Sequence, residues 1–242
     1  MKILQLNAWN GRVKGALAEF LKSNDFDVAC LQEMVWGGNQ EIMQDFILPT
    51  EKIREFGRFT DEAKAANFGI EMSDKIVKIG NVVFSKKAIK KNETKYVYGE
   101  YKIVKTLSDI KHHAYTVQLI KLENGVNIVN HHGYWLPTPV GDEITVEVMT
   151  RVADLVKKLE GPVIMCGDLN VIHSSPAMRA LDFLHDLTEE YKVRNTLVGL
   201  KFDGRVACDH ILVNDEIKVK SFEVLDDLIS DHKALVAEIE IK

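Results

Sequence analysis

Cysteine, proline, positive charge in excess and long apolar runs are all scarce in this chain of 242 residues. Its three cysteines, Cys30, Cys166 and Cys208, lie far apart in apolar stretches and without CxxC spacing. That argues against a disulfide framework or a cysteine zinc site, and fits buried thiols in a reducing compartment. Only five prolines interrupt the pattern, and there is no Ser/Gly-rich linker or block of like charge to mark a boundary. A single domain over 1–242 is therefore expected. No apolar run approaches the length of a membrane span. The first apolar stretch meets Asn7 too soon for the core of a signal peptide, so a soluble, unprocessed, cytoplasmic protein without a transmembrane segment is expected. With 31 Lys plus Arg against 36 Asp plus Glu, the net charge of −5 provides no global field for nucleic acid or an anionic membrane. Neither HExxH nor HxHxD occurs, which removes the usual zinc-hydrolase patterns.

Against these absences stands an ordinary globular composition in which short β-branched runs alternate with segments of helical period. Residues 3–6 read as a strand, Val13, Leu17, Phe20 and Leu21 recur at helical spacing, and residues 27–31 form a strand ending at Gln32 and Glu33. The order returns in the second half. Residues 126–129 lead to Asn130, His131 and His132; a helix carries Ile144, Val148, Val152, Leu155 and Leu159; and residues 162–166 form a strand ending in Gly167 and Asp168. Further strands are expected at 78–85, 96–106, 115–122, 210–213, 219–224 and 234–241, with Glu123, Asn124 and Gly125 as a tight turn. The expected architecture is two sheets packed face to face with helices outside.

Polar residues at the ends of these strands carry the chemistry. Glu33 closes an apolar strand, where a carboxylate is costly unless its charge is compensated, as a hard cation would do; the plain alternative is a solvated strand end. In GDLN (167–170), Asp168 and Asn170 are two apart and share a face if strand geometry persists, so the pair can orient a water and donate to a phosphoryl oxygen. An Asx turn is the alternative there. SDHKAL (230–235) sets Asp231, able to ligate a metal or hold water, beside His232, able to donate to a phosphoryl oxygen or shuttle a proton. Asp209 in CDHILV can accept from His232, with His210 on the opposite face. In NHHG (130–133), two adjacent histidines face opposite sides of a strand; His132 is taken as functional and His131 as packing.

LNAWNG with Asn7, LQE with Glu33, GNVVFSK with Gly80 and Asn81, NHHG, GDLN, CDHILV and SDHKAL stand in one order from residue 7 to residue 235. In that order the chain resembles the endonuclease/exonuclease/phosphatase superfamily, with its deoxyribonuclease-I-like fold. The resemblance implies an α/β four-layer sandwich, two mixed β-sheets packed face to face with helices on the outer faces. It also implies a divalent-metal-dependent phosphoester hydrolase using Mg2+ or Mn2+. Carried over by position, Glu33 resembles the principal metal ligand, with Asn7 and Asp231 completing or supporting the shell. Asp168 resembles the residue that aligns the attacking water, and Asn170 the one that holds water or phosphate. His132 and His232 resemble the pair that hydrogen-bond the scissile phosphate, with Asp209 as partner of His232. Whether Asp168 or the His232–Asp209 pair is the base stays open.

A histidine rather than a tyrosine at position 132 is similar to the deoxyribonuclease, deadenylase, sphingomyelinase, tyrosyl-DNA phosphodiesterase and inositol phosphatase branches rather than the AP endonucleases. Those branches span nucleic acid, nucleotides, lipid headgroups and small phosphorylated molecules, so the expected partner is a phosphoester substrate, with a phosphodiesterase or nuclease as first reading and a small-metabolite or lipid-headgroup enzyme as second. Trp36, Tyr134 and Trp135 are candidate substrate walls, each with a buried aromatic as the plain alternative. Arg151 is a candidate substrate contact in the helix after His132, with an i to i+4 pair to Glu147 competing. An inactive binding module on the same fold is disfavoured because none of the expected positions is lost.

Overall fold

A computed structural model of the chain describes residues 1–38, 47–72, 74–105, 114–198 and 206–242. The elements in chain order are β1 (Lys2–Asn7), α1 (Lys14–Ser23), β2 (Val28–Gly37), α2 (Thr50–Phe56), β3 (Asp61–Met72), β4 (Lys75–Ser85), β5 (Ile89–Tyr98), β6 (Ile103–Val104), β7 (Tyr115–Leu122) and β8 (Asn127–His131). They continue with α3 (Glu143–Val156), β9 (Val163–Asp168), β10 (His185–Asp186), α4 (Leu187–Glu190), β11 (Asp209–Val213), β12 (Ile217–Leu225) and β13 (Ala234–Ile241). Two mixed sheets result, ordered β12-β13-β1-β2-β4-β3-β6 and β10-β11-β9-β8-β7-β5.

Each strand contributes alternate residues to two cores, which is why the apolar runs are short but nearly continuous. Between the sheets lie Ile3, Val28, Cys30 and Val83 from one and Ile128, Ile164, Cys166 and Ile211 from the other. On the outer face of the first sheet, Leu4, Leu6 and Ala29 meet Leu17, Phe20 and Leu21 of α1. On the outer face of the second, Val129 and Met165 meet Val148, Met149 and Val152 of α3. The layers are those of the four-layer α/β sandwich. The Asp142 side chain starts α3 by accepting from Thr145 N at 2.9 Å, closing a capping box.

Pairing direction decides where the functional residues meet. β1 and β2 run parallel, as do β8 and β9, so Asn7, Glu33, His132 and Asp168 all lie toward the C-terminal ends of these strands. β13 runs antiparallel to β1 and β11 antiparallel to β9, which brings the approach to β13, with Asp231 and His232, and the start of β11, with Asp209, to the same end. Asp209 is the direct cross-strand partner of Asp168.

Two expectations need correction. The strand ending at Glu33 continues to Gly37 through a register shift between Leu31 and Met34, and Glu33 sits there at φ 53°. The strand expected at 96–106 is instead β5, which ends at Tyr98, followed by the short β6; residue 106 lies outside the described set. β5 lies at a sheet edge and is largely exposed, so its sequence is lysine-rich rather than apolar. His112 and His113, which the sequence marks as structural because no metal-ligand spacing accompanies them, also lie outside the described residues.

Candidate active site

The bulge in β2 turns Glu33 out of the ladder toward the strand ends. A non-glycine residue in the left-handed region costs roughly 1 kcal/mol or more and persists only where its surroundings enforce it. Asn7 Nδ2 donates to Glu33 Oε1 at 3.2 Å and to Asp168 Oδ2 at 3.0 Å, while Asn7 Oδ1 accepts from Trp9 N at 3.0 Å. Asn7 thus bridges the two carboxylates. Ser230 Oγ donates to the Asn7 carbonyl at 2.6 Å, tying the Asp231–His232 segment to the end of β1.

GDLN satisfies both readings of its sequence. The Asn170 backbone, at φ 57°, donates to Asp168 Oδ1 at 3.0 Å, which is an Asx turn, yet Asp168 and Asn170 both line the same cleft. Asn170 Nδ2 uses one hydrogen on the Gly133 carbonyl at 3.0 Å, leaving the second to point elsewhere. Gly133 is required there, since a Cβ would stand 2.1 Å from the Leu169 carbonyl oxygen.

Both candidate histidines face Asp168: His132 Nε2 is 3.6 Å and His232 Nε2 3.7 Å from Asp168 Oδ2. His232 Nδ1 lies 2.9 Å from Asp209 Oδ2, so the two motifs meet. Burial pushes the His232 imidazole down, but the charges of Asp209 and Asp168 and the hydrogen bond to Asp209 outweigh it and hold the ring well above its ordinary value. Burial likewise pushes Asp168 up, and is outweighed by His232, His132, Asn7 and the Asn170 N–H, which hold it below the ordinary carboxylate range. His131 is buried, bonded through Nδ1 to the Thr116 carbonyl at 2.9 Å, and pushed down by burial to about 4; it is a neutral packing residue.

Glu33, His132, Trp135, Asp168, Asn170, Asp231 and His232 line one cleft of about 380 Å³, together with Leu136, Pro137, Pro139, Leu197, Val206 and Cys208. The remaining candidate substrate contacts are not brought there. Trp36 stays within β2 and packs on the core beneath α1. Tyr134 packs between Tyr98 and Tyr115, with ring centroids 5.1 Å away in each case. Arg151 donates to the Val97 carbonyl at 2.9 Å and to Glu147 Oε1 at 2.5 Å, so its guanidinium ties α3 to β5. Only Trp135 of the four reaches the cleft, because the others find apolar or hydrogen-bonding partners in the outer layers.

A buried amide set that sequence reasoning missed lies beneath the cleft. Gln5 and Gln32 exchange hydrogen bonds at 2.7 and 2.9 Å, Gln32 donates to Asn130 Oδ1 at 2.7 Å, and Asn130 donates to Gln118 Oε1 at 3.1 Å. All four are fully buried, and Gln5 also reaches Asp209 Oδ1 at 3.4 Å. Their signal in sequence was a polar amide inside each apolar run.

Among the described residues, Glu33, Asp168 and Asp231 form no ion pair with any lysine or arginine, and the basic side chains within 4 Å of Asp168 are the imidazoles of His132 and His232. Three carboxylates in one partly dry cleft fit a hard divalent cation, for which oxygen donors are the natural set. Among the described residues, the group whose ligand atoms all lie within 4.8 Å of one another is a different one, Asp168, Cys208, Asp209 and His232, which shares only Asp168 with the three carboxylates. There the His232–Asp209 hydrogen bond already occupies one edge, and burial pushes the Cys208 thiol up, so it fits a soft cation less well.

A model of the endonuclease/exonuclease/phosphatase family matches residues 4–232. The chain belongs to that family. No curated protein matches it. Its fold is similar to that of a mannosyl-6-phosphatase from Bacteroides thetaiotaomicron, with TM-score 0.69 and 17% identity, covering 100% of both chains. It is also similar to the catalytic domain of human Nocturnin solved with bound sulfate, with TM-score 0.65, 14% identity, and 100% and 93% of the two chains covered. A humanized D. rerio TDP2 gives TM-score 0.67 and 12% identity over 99% and 98%. At these identities the likeness to the solved structures is one of fold, and family membership supports phosphoester hydrolysis without choosing a substrate. Among the described residues no helix is long and apolar enough to cross a membrane.

Proposed function

We propose that residues 1–242 act as one cytoplasmic catalytic unit, a divalent-metal-dependent phosphoester hydrolase in which water attacks phosphorus. The observation that carries this reading is the convergence of Glu33, Asp168 and Asp231, without a lysine or arginine partner among the described residues, on the same cleft as His132, Asn170 and His232. Glu33 and Asp231, supported by Asn7, would hold Mg2+ or Mn2+. Such an ion, when bound, neutralises phosphoryl charge and stabilises the leaving oxygen. Asp168, kept ionised by its donors, aligns the attacking water. His132, the free hydrogen of Asn170 and the His232 cation donate to the phosphoryl oxygens as charge builds there. Asp209 keeps His232 charged and oriented.

The cleft lining favours a small phosphoester over a nucleic-acid backbone. Trp135, Leu136, Pro137, Pro139, Leu197 and Val206 make one side apolar, and no lysine or arginine is among the described lining residues. Trp135 is 60% exposed although its backbone N–H is anchored to the Tyr115 hydroxyl at 3.3 Å, which makes it a preformed stacking surface for a ring-bearing substrate. A panel of bis-p-nitrophenyl phosphate, p-nitrophenyl phosphate, sugar phosphates, inositol phosphates and oligonucleotides, each assayed with Mg2+ and Mn2+, tests the reading. The small esters are expected to be turned over in preference to oligonucleotides. On the best ring-bearing substrate, Trp135→Ala should raise KM by about tenfold with kcat little changed, the scale of one lost stacking contact. An unchanged KM would remove Trp135 from the substrate wall.

A further inference from the structure

On the far side of β11 from Asp209 lies a buried charged cluster that the proposed chemistry does not use. His210 is wholly buried and Asp186 nearly so. His210 Nδ1 lies 2.9 Å from Asp186 Oδ2, and His210 Nε2 lies 2.9 Å from the Val171 carbonyl oxygen. A carboxylate and a carbonyl both only accept, so each ring nitrogen carries a hydrogen and the ring is an imidazolium. Burial pushes His210 down, but the Asp186 charge outweighs it and raises it above its ordinary value.

The pair reaches both arms of the cleft. Val171 follows Asn170, whose left-handed backbone has to be held in place, and Leu169 N to the Cys208 carbonyl at 2.8 Å and Ile172 N to the Pro139 carbonyl at 2.9 Å fix the same loop on either side. Asp186 Oδ1 accepts from Thr188 N at 3.0 Å, and Thr188 Oγ1 donates to the Asp209 carbonyl at 3.0 Å. His173 Nδ1, 3.0 Å from Asp186 Oδ2, extends the cluster to the surface, where it meets Glu189. We propose that the buried His210–Asp186 ion pair is a positioning pair that sets Asn170, through the Val171 carbonyl, and Asp209, through Thr188, for hydrolysis in the cleft. Its effect on rate rests on the function proposed above; its effect on the Asn170 turn does not.

The two effects are separable with His210→Leu and His210→Gln in the full chain. Glutamine can keep a donor near the Nε2 position for the Val171 carbonyl, and leucine cannot. His210→Leu is expected to lower kcat on bis-p-nitrophenyl phosphate by on the order of 10- to 100-fold with KM nearly unchanged, since small misplacements of reacting groups act on rate. It should also shift the backbone amide resonance of Asn170, while His210→Gln recovers most of kcat and the wild-type Asn170 resonance. Rates are compared below the unfolding range of each variant, and Asp186→Asn, of the same shape and one charge less, replaces His210→Leu if that variant does not fold. A leucine variant with wild-type kcat and Asn170 resonance, or equal losses in both variants, would overturn the proposal. If the wild type hydrolyses nothing in the panel, the proposed function fails, and the Asn170 resonance alone decides the positioning pair.

Discussion

Glu33→Gln is expected to weaken Mg2+ binding and to reduce turnover by on the order of 100-fold or more, with the fold unchanged. The substitution keeps shape and volume and removes one charge. Glu33 stands at φ 53° on the β2 bulge, partly buried, with a single amide contact from Asn7 and no cationic side chain against it among the described residues. A carboxylate whose only role was structural would have a partner that its loss leaves unpaired. Here glutamine keeps an oxygen that can accept from Asn7 Nδ2, so the thermal midpoint of the metal-free protein should hold. Partial rescue by saturating Mg2+ is expected, because the defect lies in affinity. Calorimetric Mg2+ binding equal to wild type would remove Glu33 from the proposed ligands.

The second large effect is the coupling of Asp209 to His232. Asp209 is fully buried, with its carboxylate between His232 Nδ1 at 2.9 Å and Gln5 Nε2 at 3.4 Å. In Asp209→Asn the histidine loses a principal charge that raises it above its ordinary 6.5. The sign follows from a raised pKa. A His232 cation that donates to phosphate is present at low pH and lost as pH rises through its folded value, so the alkaline limb of the rate profile should move to lower pH in Asp209→Asn. The stabilising contribution of the pair behaves alike, fully present below the unfolded value and lost through the folded one. His232→Ala and the double variant should be almost equally impaired, since residues acting as one unit give non-additive losses. Additive losses with an unmoved alkaline limb would leave Asp209 a structural strand residue.

Much of this was legible in the sequence because the informative residues are polar groups that end or begin apolar strands. Asp168 and His232 stand out in that way, and their spacing survives folding since strand pairing fixes which ends meet. β3 was not legible: its inward residues include Ala63 and Ala65, small and weakly β-forming, and the strand exists because β4 pairs with it along its length. The bulge at Glu33 was not legible either, as nothing local to Leu31, Gln32 and Met34 announces a left-handed glutamate. Trp36 and Tyr134 were indistinguishable in sequence from Trp135, and only packing separates the two half-buried rings from the exposed one. Leu197 and Val206, which add apolar surface to the cleft, are placed by contacts distant in the chain, since Val198 N donates to the Asp231 carbonyl at 2.8 Å and Thr196 N to the Val206 carbonyl at 2.9 Å.

Metal removal tests the central claim most directly. Purified protein is exhausted with chelator, assayed on bis-p-nitrophenyl phosphate and the best ester of the panel, then resupplied with Mg2+, Mn2+ or Zn2+ in turn. The proposed reading predicts loss of turnover on chelation and its return with Mg2+ or Mn2+ in wild type, with Glu33→Gln requiring more metal for the same fraction of its own maximum. Turnover that survives complete chelation, or that returns with Zn2+ alone, would contradict it.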